Sequence, residues 1–142
     1  KLTQHQEALT QAGITLGTAA YLAPEQIRGG AYDARTDLFS FGVLAFELFA
    51  LERPFQGAEI SAVFYKILNE EPTPPSRIVA TLPPDVEKTI LRCLRKDPAR
   101  RFQTMADLKV ALEDLVIESS ASIPAQVPVR TPSRLRRWPL RG

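Results

Sequence analysis

The apolar run at residues 38–51 constrains the fold of this chain more than any other segment. It is about 14 residues long, whereas a helix needs about 20 apolar residues to cross a bilayer. Asp33 is a suitable N-cap, so we predict a helix over residues 34–51. A helix that is apolar on every face must be buried by elements around it. Its large apolar side chains are Leu38, Phe39, Phe41, Val43, Leu44, Phe46, Leu48 and Phe49.

Four further helices are predicted around this segment, and no strand pattern is convincing. A short helix begins at Pro24 and ends at Gly29 and Gly30, since proline suits the first helical turn and glycine the end. Others are predicted at 59–68, at 84–96 and after a Thr104 cap, with a proline-rich loop over 72–84. Residues 1–16 show weak periodicity and are predicted to form a mobile loop. The expected fold class is mainly α, about five helices around one buried central helix.

Charge divides the chain into two unequal parts. Residues 1–118 carry 13 Lys and Arg against 16 Asp and Glu, whereas residues 119–142 carry five Arg and no acid. The acidic body argues against a basic nucleic-acid binder, and we expect no specific nucleic-acid partner. Proline, serine and arginine dominate the end of the chain, so we predict a disordered tail or linker over 118–142.

Single cysteine and histidine residues limit the chemistry that is available. Cys93 alone cannot form an internal disulfide, which fits a reducing compartment and a cytoplasmic location. It lies beside an apolar stripe and is expected to be a small core residue. His5 has no other His or Cys nearby, so no metal site is predicted. Lys1 begins the chain and Met105 is its one methionine, from which we expect a fragment.

Four motifs in a fixed order carry a family resemblance. Residues 17–26 read GTAAYLAPEQ, residues 37–42 DLFSFG, residues 53–55 RPF and residues 97–102 DPARRF. Together they resemble the C-terminal lobe of a serine/threonine protein kinase. The sequences at residues 24–26 and 34–37 are most similar to those of the eukaryotic-like kinases of bacteria. The likeness covers roughly residues 10–115. It implies an activation-loop and substrate-platform segment at 1–22, a helical C-lobe at 23–117 and the tail at 118–142.

The catalytic parts of a kinase are missing from the sequence. A glycine-rich loop, a strand lysine, an HRD-type catalytic loop and a DFG metal site are all absent. The resemblance implies that the intact parent uses ATP and Mg²⁺ to phosphorylate Ser and Thr of protein substrates, together with an N-terminal kinase half. We expect no catalytic residue and no bound cofactor in this chain, and no phosphoryl transfer by it alone. A membrane tether of the parent would have to lie in sequence outside this chain.

The resemblance also implies roles for particular residues. Glu25 is expected to form an ion pair with Arg101, since a guanidinium can hold a carboxylate through two hydrogen bonds. Asp37 would hold the catalytic loop of the parent, or else be an ordinary acid of the first helical turn. Residues 16–22 would form the platform for the substrate, with Thr18 beside the catalytic base and Tyr21 and Leu22 completing the surface.

A phosphorylation site is the last implied feature. Thr10 stands seven residues before Gly17, where similar kinases often carry an activating threonine; Thr3 and Thr15 are alternatives.

An alternative to a partial enzyme is a non-catalytic docking module derived from a kinase C-lobe. Loss of the N-terminal half would expose the apolar side of the helix at 38–51, and such patches mark interaction or aggregation.

Overall fold

The computed structural model describes residues 2–121, and within that range it contains α-helices, two short 3₁₀ turns and no strands. Prediction and structure agree on a mainly α C-lobe. The 3₁₀ turns are Pro75–Arg77 and Pro98–Arg100. In chain order the helices are α1 Gln4–Gln11, α2 Leu16–Ala19, α3 Pro24–Arg28, α4 Ala34–Ala50, α5 Ile60–Asn69, α6 Pro84–Cys93 and α7 Met105–Ala121.

Helix α4 is the centre of the fold and begins where the sequence predicts. The Asp33 carboxylate accepts the Arg35 N–H at 2.9 Å, which satisfies one of the free donors of the first turn. One side of the helix packs in the core, where Phe39 stacks on Phe55 with ring centroids 6.1 Å apart. The expectation of burial on every face is wrong for the opposite side. Three side chains there are largely open to solvent: Leu44, Leu48 and Phe49.

The close approach of α4 and α6 depends on a residue without a side chain. A Cβ atom added to Gly42 would lie 2.6 Å from Cβ of Cys93 and 3.0 Å from Cδ2 of Leu94. Cys93 is fully buried, as its place beside the apolar stripe predicts, and burial raises the pKa of its thiol to about 12. Gly42 therefore sets the distance between the two helices.

Residues 4–11 form a helix, so the prediction of a mobile loop over 1–16 is wrong there. The Thr3 hydroxyl accepts the Gln6 N–H at 3.2 Å, and the Gln6 side chain accepts the Thr3 N–H at 3.1 Å. This capping box starts α1 despite its weak apolar pattern. Nε2 of His5 also lies 2.8 Å from the Gln26 carbonyl oxygen, and the His5 ring packs against Gly29, whose φ is +75°. Contacts with α3 thus hold α1 in place.

Helix α7 ends a few residues later than the pattern indicates. It starts beside Thr104, whose hydroxyl accepts the Asp107 N–H at 3.1 Å, and it continues to Ala121. The predicted tail therefore overlaps the last turn of the helix at residues 118–121. The remaining tail, with the predicted disorder, lies outside the described residues. None of the helices described within residues 2–121 combines the length and apolar character needed to span a membrane.

We predict that Gly42→Ala destabilises the chain by about 1–3 kcal/mol, because the new methyl group overfills the contact with Cys93. An alanine in an open helical position would instead stabilise a helix by up to about 1 kcal/mol. Urea denaturation followed by circular dichroism measures the difference.

Gly17→Ala is the matched control, since its added Cβ would have no neighbour closer than 3.8 Å. Equal midpoints for the Gly42 and Gly17 variants would contradict the role of Gly42 as a spacer.

Candidate functional site

Arg101 is the most completely enclosed charged side chain of the site. It is 1% exposed, and each of its five N–H groups has an acceptor. Nη1 and Nη2 donate to the two carboxylate oxygens of Glu25 at 2.7 and 2.9 Å. The other three donations go to backbone carbonyl oxygens, those of Arg95 at 2.6 Å, Arg35 at 2.9 Å and Lys96 at 3.2 Å. The structure therefore brings together the pair that the motifs predict, in two-pronged geometry.

Glu25 has a third donor that the sequence analysis did not identify. The buried hydroxyl of Thr36 donates to Oε1 of Glu25 at 2.8 Å. Burial by itself raises the pKa of Glu25, but hydrogen bonds from Arg101 and Thr36 and the charge of Arg101 outweigh it, so the pKa lies below its usual value. The carboxylate thus stays ionised at neutral pH. It joins the start of α3 to the first turn of α4 and to the loop before α7.

Lys96 extends this charged cluster and was also missed by sequence reasoning. Its ammonium donates to the carbonyl oxygen of Ile67 at 2.7 Å at the end of α5, and it lies 4.9 Å from the ring centroid of Phe55. Burial is the main cause of its lowered pKa. A lysine just after one helix is no signal by itself that it caps another helix. Here it neutralises the carbonyl end of α5.

The predicted substrate platform, residues 16–22, consists of α2 and the turn after it. Ala19 and Ala20 are buried and anchor the segment, while Thr18 is exposed. The Thr18 hydroxyl lies 3.1 Å from that of Thr15, whose oxygen also accepts the Thr18 N–H at 3.3 Å. Ser40 of α4 donates to the Tyr21 carbonyl oxygen at 2.7 Å. The platform is therefore tied to the central helix, with the Thr18 side chain on its outer surface.

Tyr21 belongs to a polar cluster at the edge of the platform. Its hydroxyl donates to Oε2 of Glu47, and this hydrogen bond is the main cause of the raised pKa of Tyr21. The Arg53 guanidinium lies 5.5 Å from the Tyr21 ring centroid and 3.7 Å from Oε1 of Glu47. Leu22, the other platform residue, is half-buried and packs against the core. Glu47 and Arg53 were not predicted as site residues.

The last two predicted residues lie apart from the ion pair. Asp37 is exposed in the first turn of α4, and its side chain has no hydrogen bond to another residue of the described range. That position matches the simpler expectation of an acid near a helix N-terminus. Thr10 lies in the last turn of α1, exposed, and donates to the Gln6 carbonyl oxygen at 3.0 Å.

The residues that the structure describes do not fit an ATP–Mg²⁺ site. Among residues 2–121, no group of three or more His, Cys, Asp or Glu side chains converges as metal ligation requires. The sequence also has no glycine-rich loop to hold phosphates. What the site offers is a rigid, tethered surface with an exposed threonine.

The comparisons with known proteins all point to one family. Residues 2–111 match the family described as "Protein kinase domain". Serine/threonine-protein kinase PknB of Mycolicibacterium smegmatis is 41% identical over 105 residues, which is 74% of this chain and 17% of the relative. A probable serine/threonine-protein kinase of Corynebacterium efficiens is 40% identical over 129 residues, which is 88% of this chain and 19% of the relative. The chain thus spans less than a fifth of these relatives.

A solved structure gives the same result for the fold. The twitchin kinase region from C. elegans superposes with a TM-score of 0.62 and 26% sequence identity. The match covers 81% of this chain and 19% of the twitchin chain.

We predict that Arg101→Met destabilises the chain by about 3–5 kcal/mol, because it leaves the partly buried Glu25 carboxylate without its cation. Urea denaturation measures the loss in the free energy of unfolding. Lys109→Ala is the control, since Lys109 and Glu113 form an exposed pair at 3.8 Å, a type worth about 0–1 kcal/mol. The central place of Arg101 would be refuted if the two variants unfolded at similar urea concentrations.

Proposed function

This chain belongs to the protein kinase family and carries part of a serine/threonine protein kinase domain, and from this premise we propose its part in the reaction. The parent protein transfers the γ-phosphoryl group of ATP to Ser or Thr hydroxyls of proteins. This chain supplies the surface that holds the protein substrate and the helical base that supports it. The nucleotide, the metal ions and the catalytic base belong to a preceding kinase half.

The observation that carries the proposal is the tether between Arg101 and Glu25. Kinase catalysis relies on positioning and charge stabilisation, so the substrate surface must be held rigidly. Glu25 follows the platform by a few residues, and its carboxylate is fixed by two bonds to a buried guanidinium. Ser40 adds a bond from α4 to the platform backbone. The tether therefore fixes the substrate surface to the helical core.

Thr18, Tyr21 and Leu22 are the proposed substrate-facing residues. The Thr18 side chain is exposed to solvent, and its hydroxyl has the Thr15 hydroxyl as a hydrogen-bond partner. We propose that it lies beside the catalytic base of the parent and orients the hydroxyl of the substrate. Tyr21 and Leu22 support the substrate residue that comes next.

Asp37 is the proposed contact to the catalytic loop. Its carboxylate is exposed at the first turn of α4 and so can accept backbone N–H groups from a segment outside this chain. A carboxylate that accepts such bonds would hold the loop in one shape.

The partners follow from this division of roles. They are a protein substrate and the preceding kinase half, with ATP and Mg²⁺ bound by that half and a cytoplasmic location for the reaction. The similarity to serine/threonine kinases of M. smegmatis and C. efficiens favours this function over an independent docking module.

Thr10 is the proposed phosphorylation site of the activation segment. A phosphate there would replace the hydroxyl that donates to Gln6 and would place negative charge at the carbonyl end of α1. Both changes weaken the helix. By contrast, the hydroxyls of Thr3 and Thr15 act as N-caps. Phosphorylation of Thr10 would therefore release α1.

To test the function, residues 2–121 replace the corresponding segment of the M. smegmatis relative, and the chimera is incubated with labelled ATP, Mg²⁺ and a protein substrate. We expect transfer to Ser or Thr by the chimera and none by the 142-residue chain alone. Thr18→Val should lower the rate about 100-fold because the substrate hydroxyl loses its orienting partner. Thr18→Ser should keep most of the rate.

Thr81→Val is the matched control, because Thr81 is an exposed threonine in the turn before α6, outside the platform. An inactive but folded chimera, or robust phosphate incorporation by the isolated chain, would overturn the proposed division of roles. Equal rates for the Thr18→Val and Thr81→Val chimeras would contradict the proposed role of Thr18.

We predict that the chimera, after incubation with ATP and Mg²⁺, carries phosphate on Thr10, which peptide mass spectrometry can locate. Hydrogen exchange of residues 4–11 should then be faster than in the unmodified protein, because α1 has lost its last-turn bond. Phosphate on Thr3 or Thr15 in place of Thr10, or unchanged exchange, would contradict this assignment.

A further inference from the structure

The side chain of Gln103 folds back over the turn that precedes it in the chain. Its Nε2 group lies 3.2 Å from the Pro98 carbonyl oxygen, 3.1 Å from that of Ala99 and 2.8 Å from that of Arg101. The two N–H groups of the amide are therefore shared among three acceptors. The shortest contact is to the backbone of Arg101 itself. Gln103 thus closes the loop that carries the buried guanidinium.

The oxygen of the same amide is bound by the start of α4. Oε1 of Gln103 accepts a hydrogen bond from Nη1 of Arg35 at 3.1 Å. Arg35 is held in turn by the carboxylate of Asp33, the N-cap of α4, with Nη2 2.9 Å from Oδ2. A flipped amide would set a donor against Arg35 and an acceptor against three carbonyl oxygens, so these bonds fix its orientation. One amide therefore joins the N-terminus of α4 to the loop before α7.

Arg35 and Arg101 are connected twice by this arrangement. Nη1 of Arg101 donates to the carbonyl oxygen of Arg35 at 2.9 Å. Gln103 supplies the return connection, from the side chain of Arg35 to the carbonyl oxygen of Arg101. The two connections close a ring of hydrogen bonds, and the Arg101 backbone cannot move along α4 without breaking one of them. The ring therefore sets the place from which the guanidinium reaches Glu25.

The ring needs a side chain that both donates and accepts, and glutamine carries both functions on one amide. Glutamate at position 103 would keep an acceptor for Arg35, but it would turn an anionic oxygen toward three carbonyl oxygens. Leucine would offer neither a donor nor an acceptor. Gln103 is exposed, so water competes for its hydrogen bonds and they add little to the free energy of unfolding. Its contribution is to the geometry of the loop.

We infer that Gln103 is a positioning residue for phosphoryl transfer, acting through Arg101 and Glu25 on the substrate platform. Arg101 meets the two carboxylate oxygens of Glu25 at 2.7 and 2.9 Å, a two-pronged contact that tolerates little displacement of either group. Glu25 follows the platform by a few residues, so a shift of the guanidinium is passed on to Thr18. This role rests on the proposed function.

The kinetic test uses the chimera in which residues 2–121 replace the corresponding segment of the M. smegmatis relative. Gln103→Leu should lower kcat for the protein substrate about 10-fold, because a displacement of 1 Å can cost about 100-fold and a smaller one is expected here. The KM for ATP should not change, since the preceding kinase half binds the nucleotide. Gln103→Glu should be as slow as Gln103→Leu, because the donations to the turn are lost.

Asn69→Leu is the matched control for the loss of an exposed amide. The Asn69 amide donates to the carbonyl oxygen of Tyr65 at 3.0 Å, at the end of α5. This bond lies outside the loop of Arg101 and outside the platform, so the Asn69→Leu chimera should keep the rate of the unsubstituted one.

Combination with Thr18→Val separates positioning from a general loss of folded protein. If Gln103 acts through the platform, Thr18→Val already removes the group that it positions. Gln103→Leu should then lower kcat by less than about 2-fold in the Thr18→Val chimera. A substitution that merely unfolds a fraction of the molecules would lower kcat by the same factor in both backgrounds. Circular dichroism of each chimera verifies that the helices remain folded.

A second test needs no catalysis and uses the intact 142-residue protein. Nε of Arg101 donates to the Arg95 carbonyl oxygen at 2.6 Å from a side chain that is 1% exposed, so its proton should exchange slowly with water. Arg101→Met identifies its NMR signal by removing it. Gln103→Leu should speed this exchange about 10-fold, and Asn69→Leu should leave it unchanged.

Three results would overturn the inference. The first is an equal factor of loss from Gln103→Leu in both Thr18 backgrounds. The second is an unreduced rate for Gln103→Glu, and the third is unchanged exchange of the Arg101 proton in Gln103→Leu. A folded but inactive unsubstituted chimera would overturn the proposed function and the catalytic part of this inference with it. The exchange measurement would still decide whether Gln103 holds Arg101.

Discussion

A guanidinium removed from water must donate each of its N–H groups to the protein, since a buried unpaired charge is among the most destabilising features of a fold. Arg101 meets this condition with five donations, two to Glu25 and three to backbone carbonyl oxygens. The acceptors come from α3, from the start of α4 and from the loop after α6. None of these parts can shift without leaving an N–H donor of Arg101 unpaired. Arg101 therefore holds three parts of the fold in one arrangement.

The rest of the site depends on that arrangement. The platform lies just before Glu25 in the chain, and a second bond from Ser40 fixes its backbone to α4. The exposed Thr18 is thus carried on a short segment that is anchored to the helical core. A surface held in this way suits a reaction that depends on positioning more than on the acid–base strength of its own residues.

Local sequence signals predict the features that are determined locally. The Asp33 cap, the proline at the start of α3 and the glycine at its end are set by neighbouring backbone groups, and the sequence predicts these bounds well. The Glu25–Arg101 pair is predictable because the motifs resemble a known family; spacing alone would not indicate it.

Features that depend on tertiary contacts escape such signals. Helix α1 was missed, because it depends on the contact of His5 with α3 as well as on its capping box. The apolar pattern of α4 predicts burial on every face, but it does not tell which elements cover each face; the open side agrees instead with the expectation that loss of the N-terminal half exposes this helix. Lys96 and Thr36 carry no signal in sequence, since their partners come from other helices.

The contact between Gly42 and Cys93 has a consequence for the reactivity of the chain. A thiol with a pKa near 12 holds almost no thiolate at neutral pH, and its side chain is shielded by the neighbouring helix. Because the thiol is fully buried, electrophiles and oxidants can reach it only when its surroundings open locally. Since no other cysteine is present, the rate of alkylation measures how often the core around Cys93 opens. Cys93 is thus a chemical probe of local opening in the core.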